Sequence, residues 1–350
     1  MPHVMTVRGA ISPEDLGITM CHTHLLCNLA PLLPPETEAS RMALADLPFT
    51  LENLGRIRRN ALSVRANIVL GDVDEAIAEA REYPKNGGRT IVEVTLPGIG
   101  RDPVGLRQIS YATGVHVVCG TGWYVAASHP PLVKQKSIDE LAAIMVKEIV
   151  EGIGNTGIRA GVIGEIAMGR NFAGEPFVPD EEKVLRAAAR AQARTGVALT
   201  VHPNLVGRYW DTYIDVLEEE GANLAKCYLS HMEAYMPDIE YQKQLLARGV
   251  YVGYDQFGHE ERSDGIAPGL GFVPDRMRVD GIVELCKQGY AERIVLANEV
   301  AMRTCYRRGG GFGYGHLLQN IVPELRYRGV TDAQIQAMLV ENPARLLAVE

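Results

Sequence analysis

The sequence predicts an α/β fold, a (β/α)₈ TIM barrel. Eight short apolar or β-branched runs alternate with segments of helical periodicity. No linker rich in Pro, Ser or Gly divides the 350 residues, so one domain spanning residues 1–350 is expected. The runner-up is an open, doubly wound sheet. The barrel is favoured because His24, Glu165, His202, His231 and Glu299 each end an apolar run. A barrel brings such ends together on one face.

The runs are taken in chain order. Gly17-Ile18-Thr19-Met20-Cys21-His22-Thr23-His24 reads as a strand ending in His-x-His. Alternation along a strand puts His22 and His24 on one face, and Cys21 and Thr23 on the other. Residues 25–55, punctuated by Pro34-Pro35 and Pro48, read as a long lid-like loop or an inserted helix. Asp72 caps an amphipathic helix that ends before Gly87-Gly88. Thr90–Thr95 is a β-branched second strand. Pro97–Pro103 turns into a helix near 103–113, and His116–Gly120 is the third strand. Ser137-Ile138-Asp139-Glu140 has the capping-box pattern of a helix start, and Ala160–Glu165 is the fourth strand. A helix from Pro179 closes at Gly196. Strands follow at Val197–His202, Cys227–His231, Val250–Asp255 and Arg293–Glu299. Helices are expected near 237–248, 275–289 and 315–328, with a last one from Thr331 to about Asn342-Pro343.

Composition excludes several classes. A formal charge of −8 argues against a nucleic-acid or anionic-membrane partner. The six cysteines form no Cys-x-x-Cys pair and read as free thiols of a reducing compartment, the cytoplasm. Met1–Met5 lacks the pattern of a signal peptide, and no apolar run is long enough to span a membrane. A small-molecule substrate is the expected partner, with a homodimer as the assembly to test.

His-x-His alone is a weak signal, equally compatible with two unrelated polar residues. Its weight comes from the other strand-end donors. Imidazole nitrogens with carboxylate oxygens suit zinc, with manganese, cobalt or iron as alternatives. Glu165 can give one oxygen to each of two divalent ions, His22 and His24 holding one ion and His202 and His231 the other. A hydroxide shared between two such ions is a strong nucleophile at neutral pH. Glu299 can orient it, take its proton and ligate metal; the bland alternative is a surface glutamate. The other histidines (His3, His116, His129, His259 and His316) lack a strand-end position and read as structural or surface residues.

These residues, with Thr6-Val7-Arg8-Gly9, Pro97–Pro103, Gly120-Thr121-Gly122-Trp123-Tyr124, Gly157–Gly161, Val201-His202-Pro203, Leu229-Ser230-His231 and Gly309–His316, resemble the phosphotriesterase family of the amidohydrolase superfamily over nearly the whole chain. The resemblance implies a (β/α)₈ barrel with a binuclear metal centre, His22, His24, His202 and His231 as ligands, and hydrolysis of phosphotriesters, lactones, esters or amides. Two positions depart from the better-known pattern. Glu165 stands where many members carry a carboxylated lysine, as in a glutamate-bearing branch of the family. The shorter side chain requires the metal pair to sit nearer the fourth strand, or that strand to bulge inward, and removes any need for bicarbonate. Ala297-Asn298-Glu299 replaces Ser-His-Asp, giving the last carboxylate on the order of an ångström of extra reach.

Trp123 and Tyr124 either line the substrate pocket or pack against the helix layer. Arg303, with Arg307 and Arg308, either clamps an anionic substrate group or forms a solvated basic loop. The preferred function is hydrolysis of a lactone, carboxylic ester or amide. The alternatives are a phosphotriesterase proper, which the arginines disfavour, and a non-catalytic small-molecule binding protein on the same scaffold.

Overall fold

The computed structural model describes residues 1–33, 38–169, 174–205, 207–264 and 271–350. Pro34 and Pro35 of the first long loop, and Gly265 of the segment after the seventh strand, lie outside the described residues. Eight parallel strands stand side by side in sequence order: β1 (Thr19–Thr23), β2 (Thr90–Glu93), β3 (His116–Thr121), β4 (Val162–Ala167), β5 (Ala198–His202), β6 (Cys227–Leu229), β7 (Tyr251–Tyr254) and β8 (Ile294–Leu296). The Glu299 amide donates to the His22 carbonyl at 3.2 Å and the Val300 amide to Thr23 Oγ1 at 2.9 Å, joining the β8 end to β1. The fold is the expected (β/α)₈ TIM barrel.

The outer layer contains α1 (Val73–Ala80), α2 (Pro103–Thr113), α3 (Ile138–Val150), α4 (Pro179–Thr195), α5 (Trp210–Glu219), α6 (Ile239–Ala247) and α7 (Asp275–Lys287). Further helical segments at Leu317–Tyr327 and Asp332–Leu347 each contain a π turn. Capping follows the sequence signals. Asp72 and Asp102 accept backbone N–H groups of the first turns of α1 and α2, and Ser137 with Glu140 forms the capping box of α3. Gly196 closes α4 at φ 69°, a conformation that costs a side-chain-bearing residue more. The sequence reading did not foresee α5. Its Trp-Asp-Thr-Tyr-Ile-Asp-Val start is poor in strong helix formers and has no side-chain N-cap; burial of Trp210, Tyr213, Ile214 and Leu217 overrides that preference.

An interior cluster takes Cys21, Val92, Val118, Val162, Ala198, Tyr228, Tyr251 and Val295 from the eight strands, with Val4, Leu16, Leu346 and Leu347 packed against them. Cys21 therefore faces inward, against the expected alternation. The β1–β2 register shifts between Met20 and Thr23, which lets both Cys21 and His22 point to the interior. In β4 Val162 belongs to the interior cluster and Ile163 to the outer layer, so strict alternation would send Glu165 outward. A register shift between Ile163 and Ile166 reverses the parity: Glu165 points inward and Ile166 packs in the outer layer. Gly164 permits this at φ 109°, because a Cβ there would collide with the Thr200 carbonyl.

Candidate metal centre

His22, Glu165, His231 and Glu299 converge above the interior cluster. One donor atom from each lies within 4.8 Å of the others. Glu165 Oε1 is 3.1 Å from His22 Nε2 and 3.3 Å from His231 Nε2. Glu299 Oε1 is 3.5 Å from each of the same two nitrogens. His24 and His202 flank the group, their rings 6.0 Å from His22 and 4.6 Å from His231 respectively. Glu165 lies within its strand; His24, His231 and Glu299 lie just beyond theirs. Among the described residues, the only non-glycine positive φ values are those of His231 (58°) and Glu299 (42°). Such conformations cost energy and persist where the surroundings over-determine them, commonly at functional sites.

A set of partners orients these donors; of these, Asp255 stands out in the sequence, at the end of the seventh strand, as an alternative group to take the proton, not as a partner of His231. Asp255 accepts from the His231 amide at 3.0 Å and from His231 Nδ1 at 2.7 Å, and its other oxygen accepts from the Tyr228 hydroxyl. His24 Nδ1 is 2.8 Å from Thr95 Oγ1, which donates to Glu93 at 2.5 Å. Glu93 also accepts the Leu25 and Thr95 amides. These bonds occupy the Nδ1 atoms and leave Nε2 of His24 and His231 for the centre, the usual carboxylate-assisted arrangement of a ligating histidine. His259, expected to be structural or at the surface, is buried with Nε2 2.5 Å from the Glu299 carbonyl. These partners come from separate elements, and no local spacing signals them.

The residues fit a cation pair. His22 Nε2, Glu165 Oε2 and His202 Nδ1 are buried without hydrogen-bond partners, which is costly unless something else binds there. Burial drives the His24 and His202 rings down to about 4, leaving them neutral with lone pairs available, the form a metal requires. Burial also disfavours the charged form of His22, but Glu165 and Asp255 outweigh it and push the ring up to about 10. Burial would raise Glu165 and Glu299; the neighbouring histidines prevail and hold both carboxyls below their ordinary range. In the metal-free chain, protons on His22 and His231 thus balance charge that divalent ions can balance instead. Replacing Asp255 by Asn should weaken zinc affinity about 10- to 100-fold, because an amide cannot accept from both His231 groups and Tyr228 as a carboxylate does. Competition with a chromophoric chelator measures it; unchanged affinity would remove Asp255 from this role.

The proposed substrate contacts fare less well. Trp123, only 4% exposed, packs in the outer apolar layer. Tyr124 is half-buried, its ring edge-on to His202 at 5.5 Å, and so stays beside the centre. The arginines of the expected clamp have carboxylate neighbours within the chain: Arg303 pairs with Glu75 at 3.0 Å, Arg307 with Glu82 at 2.5 Å, and Arg308 lies 3.9 Å from Glu79. Glu79 also accepts the Arg307 and Arg308 amides, so the basic loop is docked on α1 and the turn after it. Its charge is already matched within the chain.

The phosphotriesterase family model matches residues 2–347. The chain belongs to the phosphotriesterase family. It is, with that family, a metal-dependent hydrolase. Among family relatives, an N-acetyltaurine hydrolase of Pongo abelii is 35% identical over 349 residues, covering 98% of this chain and 97% of that protein. The Homo sapiens N-acetyltaurine hydrolase is 34% identical with the same coverage. A resiniferatoxin-binding protein from Rhodobacter sphaeroides has a TM-score of 0.93 at 38% identity, covering 99% of this chain and 94% of that one. A mutant of a phosphotriesterase-like lactonase from Deinococcus radiodurans has a TM-score of 0.76 at 27% identity, covering 98% and 99%. Among the described residues no helix is long and apolar enough to cross a membrane, and all six cysteines are buried free thiols.

Proposed function

We propose that the chain is a binuclear metal-dependent hydrolase that cleaves the amide bond of a small N-acyl compound. Lactone and ester cleavage would be the same chemistry on a different acyl group. The observation that carries this reading is the convergence of buried donor atoms of Glu165, Glu299, His22 and His231 within 4.8 Å. The amide preference is supported by the N-acetyltaurine hydrolases that match this chain along nearly its whole length.

His22 and His24 would hold one ion, His202 and His231 the other, and Glu165 both; zinc suits this donor set, with manganese, cobalt or iron as alternatives. Bound there, the ions would acidify a water and polarise the acyl carbonyl. The remaining roles belong to the chain. Glu299 Oε1, facing the two imidazoles, takes a proton from the attacking water and returns it to the leaving nitrogen. Asp255 fixes the His231 ring, Thr95 and Glu93 fix His24, and Tyr124 lines the approach beside His202. The buried thiols suit a reducing compartment, the cytoplasm, and residues 1–350 act as one domain.

Protein purified from metal-supplemented medium should carry close to two divalent ions per chain by elemental analysis. It should hydrolyse members of a panel containing N-acetyltaurine, other N-acyl amino compounds, lactones and phosphotriesters. Absence of divalent metal overturns the proposal. Turnover of phosphotriesters alone would favour the phosphotriesterase alternative. A second reading, ligand binding without turnover, is favoured by the resiniferatoxin-binding relative. It predicts metal uptake with no hydrolysis of any panel member.

A further inference from the structure

We propose that Gln256 is a positioning residue for Glu299: its side-chain amide fixes which carboxylate oxygen faces the metal-binding cluster. Gln256 Nε2 donates to Glu299 Oε2 at 2.9 Å, while Glu299 Oε1 is the oxygen 3.5 Å from His22 Nε2 and His231 Nε2. The two oxygens thus have separate tasks. A carboxylate with one oxygen bonded to an N–H donor gives up rotation of its terminal torsion, so the second oxygen stays aimed inward. The backbone is held too, since His259 Nε2 lies against the Glu299 carbonyl. Glu299 has positive φ, and these two contacts from the loop after β7 help over-determine that conformation.

The loop itself is braced from below. Glu233 Oε1 accepts the Asp255 and Gln256 amides at 3.2 and 2.7 Å. Arg278, wholly buried on α7, lies 3.3 Å from Glu233, donates to the His259 carbonyl at 3.0 Å and to Asp275 at 2.6 Å. Asp275 in turn accepts the Gly258 amide at 2.9 Å and pairs with His316 Nε2 at 2.7 Å. A buried guanidinium is costly unless its donors are used, and here its two terminal nitrogens tie α7 to the segment that carries Gln256 and His259. Gln256 is therefore a donor on a rigid mount. An amide neither accepts nor passes on a proton at neutral pH, so its contribution is orientation alone.

The kinetic part of this inference rests on the hydrolase reading; the metal-affinity part rests on the geometry. Gln256→Leu keeps the approximate volume and removes the donor. Its kcat should fall about 10- to 100-fold with KM within about twofold, because a misplacement on the order of an ångström has that effect. The zinc affinity of the metal-free protein, measured with a competing chelator, should weaken about 10-fold or more. In a Glu299→Gln background, adding Gln256→Leu should change neither quantity further, since residues acting as a unit are non-additive. Gln256→Met, similar in length and without an N–H or O–H donor, gives the same test should the leucine variant fail to fold. Wild-type kcat and zinc affinity in these variants would overturn the proposal, as would equal losses with and without Glu299. A wild-type protein with no hydrolytic activity would instead sink the hydrolase reading, leaving the zinc titrations to decide the role of Gln256.

Discussion

Glu165→Gln should lose metal and activity together. The carboxylate contacts both central imidazoles through one oxygen, at 3.1 and 3.3 Å, and its second oxygen is buried without a partner. A neutral amide supplies one weaker oxygen and turns an N–H donor toward the place where a cation would sit. Elemental analysis should find the ion content reduced from close to two per chain. Removing a Lewis acid worth several kcal/mol corresponds to a rate loss on the order of 10²–10³-fold. Zinc should raise the melting temperature of the wild type by mass action and that of the variant by less. Bicarbonate should alter neither protein, because Glu165 needs no carboxylation. A wild-type site that assembles only with bicarbonate would overturn the bridging role assigned to this glutamate.

How far the sequence reveals this molecule depends on how local each signal is. Strands such as Thr90–Glu93 and His116–Thr121 are legible because β-branched and apolar residues cluster between glycines and capped helices. The six candidate donors are legible because their residue types recur at or near strand ends, and four of them converge within 4.8 Å. Geometry set between elements is not legible. The parity of Glu165 depends on a register shift against β5, and the inward face of Cys21 on one against β2. The expectation that a short glutamate brings the metal pair nearer strand four, or that strand inward, follows from side-chain reach; the register shift of β4 at this point is what turns Glu165 to the interior. Glu93, Gln256 and His259 act across space on donors of other strands, so spacing alone does not mark them; Asp255 is marked by its strand-end position, but its hold on His231 is not. The partners of Arg303, Arg307 and Arg308 are hidden for the same reason: Glu75, Glu79 and Glu82 face the basic loop from a distant stretch of chain.

Glu299→Gln should separate proton transfer from metal binding. In metal-supplemented buffer the variant should still hold close to two ions, because four histidines and Glu165 remain, although its affinity should be weaker. Its kcat should fall about 10²- to 10⁴-fold, the usual worth of a positioned acid–base group. The pH dependence has a definite sign. In the metal-free chain burial would raise this carboxyl, but His231 and His22 hold it below its ordinary range; bound divalent ions would favour the carboxylate in the same direction, so the base form is present at neutral pH and lost as pH falls. The acidic limb of the wild-type rate profile should therefore flatten in the glutamine variant. Glu299→Asp restores a carboxylate with similar basicity but shorter reach. It must give up either the 2.9 Å bond from Gln256 or the approach to His22 and His231, and so should be slower than the wild type. An unchanged rate and pH profile in Glu299→Gln would make Glu299 a bystander. Asp255 cannot easily take its place: one oxygen is committed to His231 and the other to the Tyr228 hydroxyl. On the proposed reading both Glu165 oxygens would go to the ions, so Glu299 would be the carboxylate left with an inward oxygen for the proton.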